Sequence, residues 1–204
     1  MPSSPYSDSH RVALANLEQH YEAWLQSARE AAALDFAFQI KRQVREDAQY
    51  QYLYRMTDVS NGLCDSLGAL TPALEAMAQR HRELKTAAVE EAKARDTSLR
   101  AQVRQYRALR VGENTPLALI ASAAADILGI MDIYGYLGHR YMVVGTNAIA
   151  AYEIEANARF AADIEATEDF DMTWVSGKLD LQIDRKSTRL NSSHVSESRM
   201  PSSA

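Results

Sequence analysis

Apolar residues along the middle of the chain repeat with the spacing of a long helix that packs lengthwise on another helix. Between residues 67 and 110 they recur at intervals of three and four, and a histidine falls on the same stripe. Such spacing is typical of a helix–helix seam, in which a polar residue can fix the register. The predicted seam consists of Leu67, Leu70, Leu74, Met77, His81, Leu84, Leu99, Val103, Tyr106 and Leu109.

Sequence signals mark both ends of this helix. Thr71-Pro72 places a hydroxyl at the N-cap and a proline in the first turn, and Gly112 predicts the end. Residues 9–58 contain no Pro or Gly and repeat the same apolar spacing, which predicts another long helix. We therefore predict a hairpin of two long antiparallel helices over residues 9–110, preceded by a disordered segment at residues 1–8.

Three tyrosines in the first predicted helix allow a second interpretation. Tyr50, Tyr52 and Tyr54 alternate with other residues, as side chains do on one face of a strand. The composition of the flanking residues favours helix, and helix is the prediction for this stretch.

The next segment, residues 115–171, opens at Asn114-Thr115-Pro116 and contains the most apolar run of the chain. That run covers residues 116–131 and is shorter than the ~20 residues that span a bilayer. We interpret it as a buried helix in which Gly129, Gly135 and Gly138 are close-packing positions. The alternative is contact with a membrane through residues 116–144.

Two further elements complete the predicted fold. Residues 147–169 have the pattern of a helix whose acidic side is interpreted as a solvated face. Residues 172–183 alternate around Ser176-Gly177, which predicts the start of a β-hairpin with partners in a missing C-terminal part. The predicted fold class is therefore all-α. It is an elongated bundle of two long helices, a shorter apolar helical segment and a fourth helix, followed by a truncated β-hairpin.

The C-terminal tail has a different origin in our interpretation. Residues 184–194 (DRKSTRLNSSH) and 198–204 (SRMPSSA) resemble the translation of a sequencing-library adapter in one reading frame. We therefore interpret residues 184–204 as not native and leave them out of the predictions of fold and function.

Charge and cysteine content exclude several classes of protein. The net charge of -5 argues against a general affinity for nucleic acid or anionic membranes, so nucleic acid is not an expected partner. The single Cys64 leaves no internal disulfide and no thiolate zinc cluster. The first residues lack the pattern of a signal peptide, and we expect a bacterial or phage protein, cytoplasmic or particle-associated.

Motifs of catalysis are absent from the sequence. The chain contains no phosphate-binding glycine loop, no nucleophile elbow and no histidine pair with metal-ligand spacing. We therefore predict no catalytic residue, no metal site and no cofactor. Arg100, Arg104 and Arg107 share one helix face, which is either a basic contact face for phosphate or an acidic partner, or a salt-bridged surface.

These observations favour a non-catalytic structural or assembly protein that binds protein partners or itself through its helical seams. In style the chain resembles internal or ejection proteins of phage particles and components of bacterial secretion or conjugation channels, although no motif matches residue by residue. One alternative is a membrane-engaging protein. Another is an enzyme whose active site lies in the missing C-terminal part.

Overall fold

The fold combines long helices with short antiparallel sheets. The computed structural model describes residues 3–45, 48–58, 62–111, 115–116, 120–160 and 171–175. The helices are α1 (Asp8–Ala33), α2 (Pro72–Ala108), α3 (Ser122–Ile133) and α4 (Ile149–Glu155), with a 3-10 turn at Gly145–Ala148. The strands are β1 (Ser3–Pro5), β2 (Ala37–Arg45), β3 (Ala48–Asp58), β4 (Leu63–Ala69), β5 (Arg110–Val111), β6 (Thr115–Pro116), β7 (Tyr141–Val143), β8 (Ala158–Phe160) and β9 (Met172–Trp174). The prediction of an all-α fold is therefore wrong.

The two long helices, α1 and α2, lie against each other in antiparallel directions. Ser98 on α2 hydrogen-bonds to His20 on α1 at 3.1 Å, and Lys85 near the middle of α2 pairs with Asp35 just after α1 at 2.9 Å. At the other end the buried rings of Tyr6 and Tyr106 form a small core with leucines of α1. The predicted start of α2 is confirmed, because the Thr71 hydroxyl accepts a hydrogen bond from the Leu74 amide at 3.3 Å.

A three-stranded antiparallel sheet stands where the sequence predicts the second half of the first helix. Its strand order is β2-β3-β4, with Lys41 opposite Tyr52 and Ile40 opposite Leu53. Leu53 is fully buried, and the Phe38 ring on the same face lies 5.0 Å from the ring of His81 on α2. The strand-like alternation of the tyrosines was therefore the correct signal, since cross-strand pairing outweighs the helix propensity of the flanking residues.

Helix α3 packs on α1 through one close contact and one polar cluster, but Ile127 and Ile130 are exposed, so the interpretation as a buried helix is wrong. A Cβ on Gly129 would lie 3.1 Å from the Trp24 ring, which confirms Gly129 as a close-packing position. Tyr21 donates a hydrogen bond to Asp132, and Arg29 binds the same carboxylate at 3.1 Å. Burial and the bond to Asp132 raise the pKa of Tyr21.

The other two glycines of this segment serve the backbone instead. Gly135 and Gly138 have φ angles of 68° and 76°, and a Cβ on either would meet nothing within 4 Å. They form turns, and the close-packing interpretation is wrong for both. Within the described residues, no helix is long and apolar enough to cross a membrane.

The last elements are short. Helix α4 ends at Glu155 and is followed by β8, so the predicted helix of residues 147–169 is wrong beyond Glu155. Asn157, whose φ of 50° is the left-handed conformation common after a helix end, closes α4. Strand β9 pairs with β7, and β1, in the segment predicted as disordered, pairs with β8. The acidic residues 161–170, the predicted hairpin beyond residue 175, the tail 184–204 and Gly112 lie outside the described residues.

Candidate active site

A two-stranded ladder brings together two loops that are distant in sequence. Strand β7 pairs with β9 in the register Tyr141 to Trp174 and Val143 to Met172, and the Tyr141 and Trp174 rings meet edge to face at 5.3 Å. The ladder continues one step further, because the Val144 amide donates to the Asp171 carbonyl at 3.1 Å. Asp171 is thereby held beside the turn that follows β7.

Gly145 in that turn is shaped for the Asp171 carboxylate. Its φ is 69°, a conformation that side-chain-bearing residues rarely adopt. A Cβ on Gly145 would lie only 2.6 Å from Oδ2 of Asp171. Glycine is therefore needed here both for its backbone conformation and for the room it leaves, and the exposed carboxylate stands directly against the backbone of the turn.

The chain after Gly145 is anchored by a buried ion pair. The 3-10 turn Gly145–Ala148 leads into α4, and Asn147 and Ala148 are buried. Glu153 on α4 is completely buried; it accepts a hydrogen bond from the Phe160 amide at 2.8 Å and forms an ion pair with Arg159. This contact ties α4 to β8 and so positions the turn that faces Asp171.

The anchor also reaches the ends of the long helices. The Tyr6 amide donates to the Asn157 carbonyl at 2.8 Å, next to the β1–β8 pair. Burial raises the pKa of both Tyr6 and Tyr106, and the negative charge of Glu153 acts in the same direction. The two tyrosines and the Glu153–Arg159 pair therefore connect the helix pair to the segment around Gly145.

The residues of the predicted seam have diverse surroundings. Leu67 lies in β4 and Leu70 between β4 and α2, so the helical seam is wrong for these two residues. The residues from Leu74 to Tyr106 lie on α2, and Leu109 is its C-cap. Met77 and Leu84 are exposed, Tyr106 is buried, and Leu74, Leu99, Val103 and Leu109 are half-buried. His81 is buried with its ring 4.0 Å from that of Phe36. The stripe therefore contacts α1, the sheet and solvent in turn.

The predicted basic face lies on the outside of α2. Arg100, Arg104 and Arg107 are all exposed, and Arg100 is paired with Asp96 at 2.7 Å. The hydrogen bond to Asp96 raises the pKa of Arg100. The structure does not bring these arginines to Gly145, as they belong to a different surface.

Metal-binding groups are sparse in the described part of the chain, which contains no cluster of three or more His, Cys, Asp or Glu side chains suited to a metal ion. Asp171 is the carboxylate that stands at the Gly145 turn. Asp169 precedes it by two residues in the sequence and lies outside the described residues. The sequence thus has two aspartates separated by one phenylalanine, and of these two the structure describes Asp171.

Comparison with known proteins identifies this same segment. A family model described as Nucleotidyltransferase matches residues 122–191, about a third of the chain. Neither a curated protein nor a solved structure matches. The matched range contains α3, β7, the Gly145 turn, α4 and Asp171, and it runs eight residues into the tail that we interpret as adapter-derived.

This match contradicts the predicted non-catalytic, structural, coiled-coil protein and favours the enzyme alternative. It points to residues inside the given chain, whereas that alternative placed the active site in a missing part. From the sequence, Asp169 belongs to the predicted solvated acidic face, and Gly145 has no predicted role. The signal that was available is a glycine turn after a short apolar strand, followed by a helix and then by Asp-x-Asp before an alternating segment.

Proposed function

We propose that the chain is a nucleotidyltransferase whose active site lies at the Gly145 turn and Asp171. The observation that carries this proposal is the approach of the Asp171 carboxylate to Gly145, which leaves no room for a Cβ. A carboxylate held against an open backbone turn can bind a cation, and that cation can bind the phosphates of a substrate. The family match over the same residues supports the proposal independently of the geometry.

The reaction would transfer a nucleoside monophosphate from a nucleoside triphosphate to a hydroxyl group. The acceptor oxygen forms a bond to the α-phosphorus and loses its proton, while the bond from that phosphorus to the bridging oxygen breaks and pyrophosphate leaves. The protein's main task is positioning and charge stabilisation, as in other transfers at phosphorus.

Nucleotidyl transfer at this turn would use a divalent cation such as Mg²⁺. Carboxylate oxygens are its preferred protein ligands, and Asp171 would supply one of them. When bound, the cation neutralises charge on the phosphates and activates the attacking oxygen. Gly145 keeps the space beside the Asp171 carboxylate free, and the Glu153–Arg159 pair keeps the turn in place.

The test is transfer of label from α-³²P nucleoside triphosphates, each supplied with Mg²⁺ or Mn²⁺, to oligonucleotide acceptors or to the protein itself. We expect label transfer with release of pyrophosphate, which EDTA abolishes. Asp171→Asn should reduce the rate by about three orders of magnitude, since carboxylate and cation contribute several kcal/mol to charge stabilisation.

Asp96→Asn is the matched control, because Asp96 is a half-buried carboxylate of α2 that pairs with Arg100 at 2.7 Å, outside the segment around Gly145. It should leave the rate unchanged. Wild-type protein that transfers no label from any of the four triphosphates, or Asp171→Asn protein that retains full activity, would refute the proposal.

A further inference from the structure

One face of the sheet β2-β3-β4 concentrates aromatic and polar side chains. The strand register places Gln43 opposite Tyr50, Lys41 opposite Tyr52 and Gln39 opposite Tyr54, so these residues share a face. The opposite face carries Phe38 and the buried Leu53 and contacts His81 of α2. We call the set Lys41, Gln43, Tyr50, Tyr52 and Tyr54 the tyrosine face.

Contacts between side chains hold the cation of this face in place. The Lys41 ammonium lies over the Tyr54 ring, 4.7 Å from its centroid, and 3.4 Å from the sulfur of Cys64 on β4. The Gln43 amide donates to the Tyr54 hydroxyl at 3.2 Å. Because contacts with Tyr54 and Cys64 already restrict the Lys41 side chain, it loses less conformational entropy when it binds a ligand at this face.

The spacing of the tyrosines suits a row of bases. Residues two apart on a strand are about 6.7 Å apart, which is close to twice the ~3.4 Å step between stacked bases. Tyr50, 46% exposed, and the half-buried Tyr52 are successive positions of this kind on the central strand. Stacking on aromatic rings binds bases without strong sequence preference.

The described charged side chain of the tyrosine face is the cation Lys41. Asp65 of β4 is opposite Arg55 and therefore on the Leu53 side. The net charge of -5 keeps the electrostatic share of any affinity small. Stacking must therefore supply most of it, and this requirement distinguishes a single strand from a duplex, whose bases are already stacked on one another.

We propose that the tyrosine face binds single-stranded nucleic acid, with bases stacked on Tyr50 and Tyr52 and a phosphate near Lys41. The inference goes beyond the proposed nucleotidyl transfer and does not depend on it, since the face belongs to other strands than the Gly145 turn. Binding is therefore measured without turnover, and its failure would leave the proposed activity untouched.

The test is fluorescence anisotropy of a fluorescein-labelled twelve-nucleotide dT or rU oligomer, titrated with the full chain at low salt. We expect saturable binding, with a duplex of the same length bound less tightly. Tyr50→Ala should weaken binding by about 5- to 150-fold, whereas Tyr50→Phe, which keeps the ring, should bind like wild type. Tyr52→Ala should show a loss of the same order, and circular dichroism checks that each variant is folded.

Charge variants separate stacking from simple attraction. Lys41→Gln should weaken binding and flatten the slope of log K against log salt by about 0.7, the value for one phosphate of a single strand. Arg42→Gln is the matched control, because Arg42 is exposed on the opposite face of the same strand, and it should leave both quantities unchanged.

Three results would overturn the inference. The first is no anisotropy change at about 100 µM protein, the weak end of the range of non-specific dissociation constants. The second is equal binding by wild type and by the folded Tyr50→Ala and Tyr52→Ala variants. The third is displacement of the oligomer by an equal concentration of polyglutamate. The last result would show that the face recognises negative charge alone, as on an acidic peptide.

Discussion

The helix pair α1–α2 and the segment around Gly145 are stabilised in different ways. On α2 the ion pair Glu91–Arg95 joins neighbouring helix turns, and its side chains are 53% and 51% exposed. In the Gly145 segment the pair Glu153–Arg159 joins α4 to β8, and its side chains are 0% and 12% exposed. Solvent screens the first pair and hardly reaches the second.

The difference follows from the length of the elements. A 37-residue helix repeats the same weak contacts many times, so each contact contributes little. Helix α4 has seven residues and β7 and β9 have three each, so a few strong interactions must hold the turn that faces Asp171. Single substitutions should therefore have small effects in the helix pair and large effects around Gly145.

The largest contrast is expected from matched substitutions of the two ion pairs. Glu153→Gln removes a buried negative charge from beside Arg159 and should lower the free energy of unfolding by about 3–5 kcal/mol. Glu91→Gln makes the same change in an exposed pair and should cost at most about 0.5 kcal/mol. Urea denaturation of both variants measures the difference, and equal losses would show that the two regions are stabilised alike.

A smaller effect is expected from adding one methyl group at the turn. Gly145→Ala places a Cβ 2.6 Å from the Asp171 carboxylate at a φ of 69°, so the carboxylate must move and nucleotidyl transfer should fall sharply. The left-handed conformation adds a cost of about 1–2 kcal/mol in stability.

Gly135→Ala is the control for strain alone. Gly135 has nearly the same φ, 68°, with nothing within 4 Å of a new Cβ. The thermal midpoint of the Gly135→Ala variant should fall through the same backbone strain, whereas its activity should be kept. Equal loss of activity in both variants would remove the argument for a specific Gly145–Asp171 contact.

The smallest effect concerns protonation of one histidine in the helix pair. Burial lowers the pKa of His81 below its ordinary value of 6.5, and the charge of Lys85 acts in the same direction. Below pH 6.5 the unfolded chain therefore binds more protons than the folded one, and stability falls as the pH decreases.

The thermal midpoint measured at pH 7.5 and at pH 5.5 should show this loss. His81→Phe should make the midpoint less sensitive to acid, since Phe36 and Phe38 already line the site with aromatic rings. His139→Gln, a change at an exposed position, should retain the wild-type response. If His81→Phe shows the wild-type response as well, other groups determine the acid sensitivity.

Local chemistry in the sequence was sufficient for the start of α2 but not for the end of α1, which lies at Ala33 although the helix was predicted to extend to residue 58. Thr71-Pro72 predicts the start of α2, because an N-cap hydroxyl and a first-turn proline act within one turn of the chain. Gly129 could be assigned to close packing from its place in an apolar helical run, although only the structure identifies Trp24 as the residue it accommodates.

Long-range pairing decided the rest. Strands β2, β3 and β4 form a sheet because they satisfy one another's backbone hydrogen-bonding groups. Pairing between separate segments leaves only a weak signal in the local sequence pattern of each. The same pairing brings Lys41 to Cys64, which are 23 positions apart.

The sequence by itself determined where α2 begins and that α1 and α2 are long, because capping and 3.6-residue periodicity are properties of neighbouring residues. Only the tertiary structure decided that Asp171 meets Gly145, since they are 26 positions apart in the sequence and the β7–β9 ladder joins them. The candidate active site therefore depends on a contact between two segments. Taken separately, the sequence of one predicts a solvated acidic face, and the sequence of the other contains an isolated glycine.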